Sequence, residues 1–203
     1  VPVLLVDCEG TGRGYDTVTT VLTTVAAGIS SVLLLNVHEN VASEDMLLLA
    51  GVSVGLGAGS SSSASIQQRP LLVLIRNLTQ AWLDEVRATG DEFLASRLSE
   101  DAARKAGLWS ERAAILRAFA PSCCFVRRPT DEDFDSMDET GAPVAEGDFA
   151  RSVLAVSERL SKLAVAGPDY KSGAELVSSL RAHLVTHARD SGVCLPSFID
   201  KLH

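Results

Sequence analysis

The 203-residue sequence has little positive charge, few cysteines and no convincing membrane-spanning run, and each shortage argues against a class of protein. Lysine and arginine together number 18, against 26 aspartates and glutamates, which gives a formal net charge of −8. This acidic balance argues against nucleic acid or an anionic membrane as the main partner, although a local basic pocket remains possible.

Cysteine is also scarce, and its spacing is uninformative about metals. The cysteines form no C-x-x-C pair and no spacing typical of a metal site; they are Cys8, Cys123, Cys124 and Cys194. We interpret them as small buried apolar residues in a reducing compartment, so we expect a cytoplasmic protein.

Two apolar stretches, 21–37 and 46–59, resemble membrane spans only at first sight. The first contains four hydroxyl residues and a glycine, and the second has four glycines among 14 residues. We therefore expect neither to cross a membrane. The chain begins with Val1 and has no signal-peptide pattern, so we expect it to be a piece of a longer product.

Apolar runs that end abruptly in polar residues alternate with helical patterns along the chain. This alternation predicts an α/β fold with a parallel sheet in a single domain. The predicted strands are 3–6, 32–36, 71–75 and 123–126. The predicted helices are 17–27, 43–50 with Ser43 as its N-cap, 80–88, 91–98, 147–163 and 173–190. The tract 55–68 is rich in glycine and serine and predicts a flexible surface loop.

Polar residues follow two of the predicted strands, at the edge where open α/β sheets bind ligands. Asp7-Cys8-Glu9-Gly10 follows strand 3–6 and fits the D-x-x-G pattern. In G domains, the aspartate of this pattern holds a magnesium-bound water, and the glycine N–H reaches the γ-phosphate. Arg76 and Asn77 follow strand 71–75. We expect these two strands to lie side by side, so that their polar ends meet at one nucleotide. Solvated loop acids, a turn glycine and a surface guanidinium are the alternative interpretation.

Four segments resemble motifs of guanylate-binding proteins and the related atlastins, and they occur in the same order as in that family. They are VLLVDCEG, LVLIRN, FAPSCCFVRRP and SGAELVSSLRAHLVTHARDSGVCLPSF. The resemblance runs from residue 3 to about residue 198. It implies a partial large G domain of the dynamin superfamily over residues 1–190, with the three-layer parallel sheet of P-loop NTPases and closing helices. Residues 191–203 would begin a linker to a helical domain.

The resemblance also implies guanine-nucleotide binding, hydrolysis of GTP with Mg²⁺, and a homodimer across the nucleotide face. Asp7 would hold the metal through water, Gly10 would contact the γ-phosphate, and Glu9 would be the catalytic residue near the attacking water. Cys8 would belong to the same nucleotide-binding segment. Arg76 and Asn77 would form the base pocket.

Two departures from the family weaken the functional expectation. No G-x-x-x-x-G-K-[ST] phosphate loop occurs in the sequence; in the family it lies before the D-x-x-G strand, so this segment alone should bind nucleotide poorly. Asn77 also stands where the family has an aspartate that accepts two guanine hydrogen bonds. Loss of that pair should cost about 2–4 kcal/mol, and xanthine would match an asparagine better. A non-hydrolysing relative that acts as a scaffold is therefore the alternative.

Two further patterns predict ordinary surface structure. His183 and His187 are four residues apart on a predicted helix without an intervening H-E-x-x-H motif, which favours a partly exposed face over a metal site. The acidic run 131–139 predicts a solvated loop.

Overall fold

The computed structural model describes residues 17–58, 68–135, 147–164 and 172–191. Within these ranges three strands alternate with nine helices, which confirms the predicted α/β class. In chain order the elements are α1 (Thr17–Ile29), β1 (Leu33–His38), α2 (Ser43–Ala58), β2 (Arg69–Leu78), α3 (Gln80–Val86), α4 (Gly90–Arg97), α5 (Glu100–Ala106), α6 (Trp109–Ala118), β3 (Phe119–Arg127), α7 (Asp131–Asp135), α8 (Asp148–Ala164) and α9 (Gly173–Ser191). None of the helices in these ranges is both long and apolar enough to cross a bilayer.

The three strands form a parallel sheet in the order β1-β2-β3. Val37 of β1 pairs with Ile75 of β2, and Val73 of β2 pairs with Cys123 of β3. The prediction that 3–6 lies beside 71–75 is therefore wrong, because a strand has two edges and both edges of this segment are taken by β1 and β3. Residues 3–6 themselves lie outside the described residues.

The central strand is buried on both faces, which explains why it reads as a continuous apolar run. Leu71, Leu72 and Val73 have exposures of 1%, 0% and 1%. Since successive side chains of a strand point to opposite faces, helices must cover both sides of the sheet. Ile115 of α6 and Phe119 of β3 belong to the same core, both at 0% exposure.

Helix α2 differs from its prediction at both ends. The Ala42 carbonyl accepts the Met46 N–H and the Asp45 carboxylate accepts the Ala42 N–H at 2.7 Å, so Ala42 rather than Ser43 is the N-cap. The helix also continues to Ala58, so the predicted loop is wrong over 55–58, and 59–67 lie outside the described residues.

The extension of α2 is stabilised by close packing on α1. A Cβ at Gly51 would lie 3.0 Å from Thr20 Cγ2, and one at Gly55 would lie 2.7 Å from Thr24 Cγ2. The glycines therefore bring the two helix backbones together, a use that their composition alone does not indicate.

The beginning of the acidic run is helical rather than a solvated loop. It forms α7, and Asp133 is only 9% exposed. The Thr130 N–H and hydroxyl both donate to Asp133 Oδ2, at 2.7 and 2.8 Å, and these bonds hold the pKa of that carboxyl below its ordinary value. Residues 136–139 lie outside the described residues.

Candidate functional site at the ends of β1 and β2

The carboxyl ends of β1 and β2 meet at one edge of the sheet because the strands are parallel and in register. His38 pairs with Arg76, and the Glu39 N–H adds a further bond of 3.1 Å to the Arg76 carbonyl. Five polar residues collect here, and all are at least partly exposed: Asn36, His38, Glu39, Arg76 and Asn77. This edge is where open α/β sheets ordinarily bind ligands.

Arg76 is a cation with spare hydrogen-bonding capacity. Its Nε donates to Asn36 Oδ1 at 3.1 Å, which directs the guanidinium toward β1. Within the described part of the chain, no carboxylate forms a salt bridge with it. A guanidinium has five N–H donors in a planar fork, so Arg76 can still bind an oxygen ligand or stack on a flat ring.

Asn77 occupies a left-handed backbone conformation near the carboxyl end of β2, one residue before Leu78. Its φ is 69°, and the β2–β3 pairing is irregular between Ile75 and Leu78. Asparagine tolerates this conformation better than most residues. Ile75 and Leu78 are 0% and 2% exposed, so both sides of the irregularity are anchored in the core. Asn77 therefore stands between two residues that are fixed by burial.

Asn77 and His38 join the two strand ends through their side chains. Asn77 Nδ2 lies 2.9 Å from His38 Nε2. On the other side of the ring, His38 Nδ1 lies 3.8 Å from a Glu39 carboxylate oxygen. Glu39 also has a left-handed backbone, with φ 59°. The edge thus holds a row of three polar side chains, carboxylate, imidazole and amide.

The end of β3 is basic as well, and its Arg127 is ion-paired. Arg127 Nη1 lies 2.7 Å from Asp148 Oδ2, and the same nitrogen donates to Gln80 Oε1. Asp148 also pairs with Arg151. Arg127 is therefore occupied, whereas Arg76 near the end of β2 and the exposed Arg128 after β3 form no salt bridge within the described residues.

Only part of the predicted site can be located. Arg76 and Asn77 lie together at the predicted strand end. Asp7, Cys8, Glu9 and Gly10 lie outside the described residues, so the structure does not test their predicted roles. Asn36, His38 and Glu39 were not among the predicted site residues, although the same apolar-to-polar change marks the end of β1 in the sequence.

The described residues offer no evidence on the magnesium expected with GTP. Asp7, the residue to which the resemblance assigns that metal, is outside them, and no three His, Cys, Asp or Glu side chains within the described ranges converge as a metal site. Of the histidine pair, His183 is half-buried against Gly28 of α1, with its ring 2.8 Å from where a Cβ would stand. The His187 side chain is outside the described set.

Neither protein-family models nor curated proteins gave a match to this sequence.

Proposed function

We propose that the edge formed by β1 and β2 binds the base of a purine nucleotide of the guanine type. The observation that carries the proposal is the position of Arg76 and Asn77. They lie in the last residues of the central strand of a parallel sheet, at an irregularity near its carboxyl edge. The resemblance assigns base recognition to the same two positions. A guanidinium without a salt bridge among the described residues and a partly exposed amide suit a flat, carbonyl-bearing ring.

The wider proposal is that the chain belongs to a GTPase domain similar to that of guanylate-binding proteins. Its support is the ordered set of motifs and a parallel α/β sheet compatible with part of such a domain. Hydrolysis with Mg²⁺ rests on the resemblance alone, since Asp7, Glu9 and Gly10 are its assigned residues. Those residues would hold the metal and the γ-phosphate, and the described edge would hold the base.

A second candidate is a relative that keeps the fold as an interaction module without hydrolysis. Asn77 favours it, because an amide replaces the carboxylate that would accept two guanine donors. Such a loss should weaken guanine binding by about 2–4 kcal/mol. Phosphate release from GTP by the natural full-length product distinguishes the two candidates, since only the first predicts turnover.

Base binding is tested by NMR on the ¹⁵N-labelled 203-residue chain. The sequence has no phosphate-loop motif, so we expect weak binding in which the base contributes much of the affinity. Guanosine 5′-monophosphate should shift the Asn77 amide and the Arg76 Nε–H resonances, and ribose 5-phosphate at equal concentration should not. Equal shifts from both compounds, or none from the nucleotide, would overturn the proposal.

An aspartate at position 77 provides the complementary gain of function. Asn77→Asp should tighten guanosine 5′-monophosphate binding by about tenfold or more, because a carboxylate accepts both donors. Asn40→Asp is the matched control. Asn40 is an exposed residue at the same edge, and its replacement by aspartate introduces the same negative charge. Equal tightening in both variants would assign the effect to charge alone and count against base recognition.

A further inference from the structure

We infer that His38 determines the base preference of this site by fixing which end of the Asn77 amide faces the ligand. The inference rests on the proposed function, since it concerns the same base. His38 would be a positioning residue: it contacts Asn77, and Asn77 contacts the base.

The contact between the two side chains requires one donor and one acceptor. With Asn77 Nδ2 at 2.9 Å from Nε2, the amide N–H donates and the imidazole nitrogen accepts. A neutral imidazole that accepts at Nε2 carries its proton on Nδ1. The orientation of the Asn77 amide is therefore coupled to the position of one proton on His38.

Glu39 favours that position of the proton. Its carboxylate oxygen lies 3.8 Å from His38 Nδ1, so the negative charge favours a proton on Nδ1 over one on the opposite nitrogen. The Glu39 backbone is tied to the Arg76 carbonyl at 3.1 Å, which keeps the carboxylate at the end of β1. Arg76, the strand partner of His38, is directed toward Asn36 by its own hydrogen bond.

The held amide presents an acceptor and a donor in a fixed order. One N–H of Nδ2 is used by His38, which leaves Oδ1 and the second N–H for a ligand. Xanthine offers a ring N–H beside a carbonyl and can satisfy both. Guanine offers two adjacent donors, so one of them would face an N–H. If the Asn77 amide were rotated so that Oδ1 and Nδ2 exchanged places, xanthine would lose both hydrogen bonds to it. Guanine would keep one hydrogen bond in either orientation.

The test compares the affinities of xanthosine and guanosine 5′-monophosphates by titration at about pH 8. We expect the wild-type chain to prefer the xanthosine nucleotide. His38→Lys places only donors beside Asn77, so Oδ1 should turn toward the lysine. The ratio of xanthosine to guanosine nucleotide affinity should then fall by about tenfold or more. His38→Gln keeps an acceptor and should preserve the ratio. Asn40→Lys adds the same charge nearby and should also preserve it.

The imidazole ¹⁵N shifts of the wild-type chain give a second readout that needs no nucleotide. They should identify the form of His38 protonated at Nδ1. A proton at Nε2, or a ratio unchanged in His38→Lys while both nucleotides bind, overturns the role of His38 and leaves the proposed function standing. If the wild-type chain binds neither nucleotide, both are overturned.

Discussion

Asp91 Oδ1 accepts a hydrogen bond of 2.8 Å from the backbone N–H of Cys123, so a helix side chain completes a bond that the sheet leaves open. Within the described residues, β3 is an edge strand that pairs only with β2. Farther along this strand, Ser152 Oγ accepts the Arg127 N–H at 3.3 Å. An edge whose N–H groups are filled by side chains is protected from pairing with another chain.

Replacement of Asp91 should therefore weaken the fold. Asp91→Ala removes the bond to Cys123 and the 2.6 Å ion pair with Arg159. The carboxylate is half exposed and water can partly replace it, so we expect the free energy of unfolding to fall by about 1–2 kcal/mol. Urea denaturation followed by circular dichroism measures the change.

Asp101→Ala is the matched control for this substitution. Asp101 is an exposed acid in the first turn of α5, as Asp91 is in the first turn of α4, so both have the same favourable interaction with a helix dipole. We expect a loss below about 0.5 kcal/mol. Equal losses in the two variants would show that the contact with β3 adds nothing.

Gly90 is required by the close approach of α4 to the same strand. A Cβ at this position would lie 2.5 Å from the Cys123 carbonyl oxygen, and a backbone carbonyl in a buried strand cannot move aside. Gly90→Ala should therefore cost about 1–3 kcal/mol in thermal or urea unfolding. Gly57→Ala is the control, because its Cβ would meet nothing within 4 Å, and it should stabilise α2 by up to about 1 kcal/mol. The same sign in both variants would contradict this explanation.

The sequence predicted those elements whose pattern is set by burial. β2 was found because Leu71 and Leu72 are buried on opposite faces, and α8 was found because its apolar residues recur at threes and fours. The end of α2 was missed because local composition favours a loop at Gly55, whereas contact with Thr24 of α1 favours helix. Tertiary packing decided the conformation there.

The site was predictable to the same limited degree. Arg76 and Asn77 were expected near the end of a strand and lie there in β2, while their role in base recognition stays a prediction. His38 reaches Asn77 only through the pairing of β1 with β2, although the two residues are 39 apart in the chain. Local sequence does not determine the order of strands in a sheet. For the same reason the predicted neighbour of strand 71–75 was wrong.

Glu92 should make the stability of α4 dependent on pH. The Thr89 N–H and then the Thr89 hydroxyl donate to its carboxylate, and these bonds hold the pKa of Glu92 below its ordinary value of 4.5. The ionised form is thus favoured by folding, so its contribution is present above pH 4.5 and is lost as the pH falls through the lowered pKa. The stability difference between wild type and Glu92→Gln should shrink on acidification.

Urea unfolding near neutral pH and in acid checks this dependence. Glu85→Gln is the control, since Glu85 is an exposed residue of α3 and forms no capping bond like that between Glu92 and Thr89 in the described residues. This variant removes a carboxylate without removing a capping bond, so it measures the effect of charge alone. A Glu92→Gln difference that stays constant into acid would argue against the capping bond as its source.

Cys123 should be chemically inert while the protein is folded. Burial, followed by the neighbouring Cys124 and Asp91, raises the pKa of the Cys123 thiol to about 12 from an ordinary value of 9.0, against an opposing effect of Arg159. The protonated thiol is therefore favoured by folding, so its contribution to stability is complete below pH 9.0 and is lost as the pH rises toward 12.

Because the thiolate is the reactive form, native Cys123 should resist iodoacetamide at about pH 8. Peptide mass spectrometry of a Cys124→Ser variant measures this without interference from the adjacent thiol. Labelling should appear only in urea, and equal rates in native and unfolded protein would show that burial by β3 and α4 does not protect the sulfur.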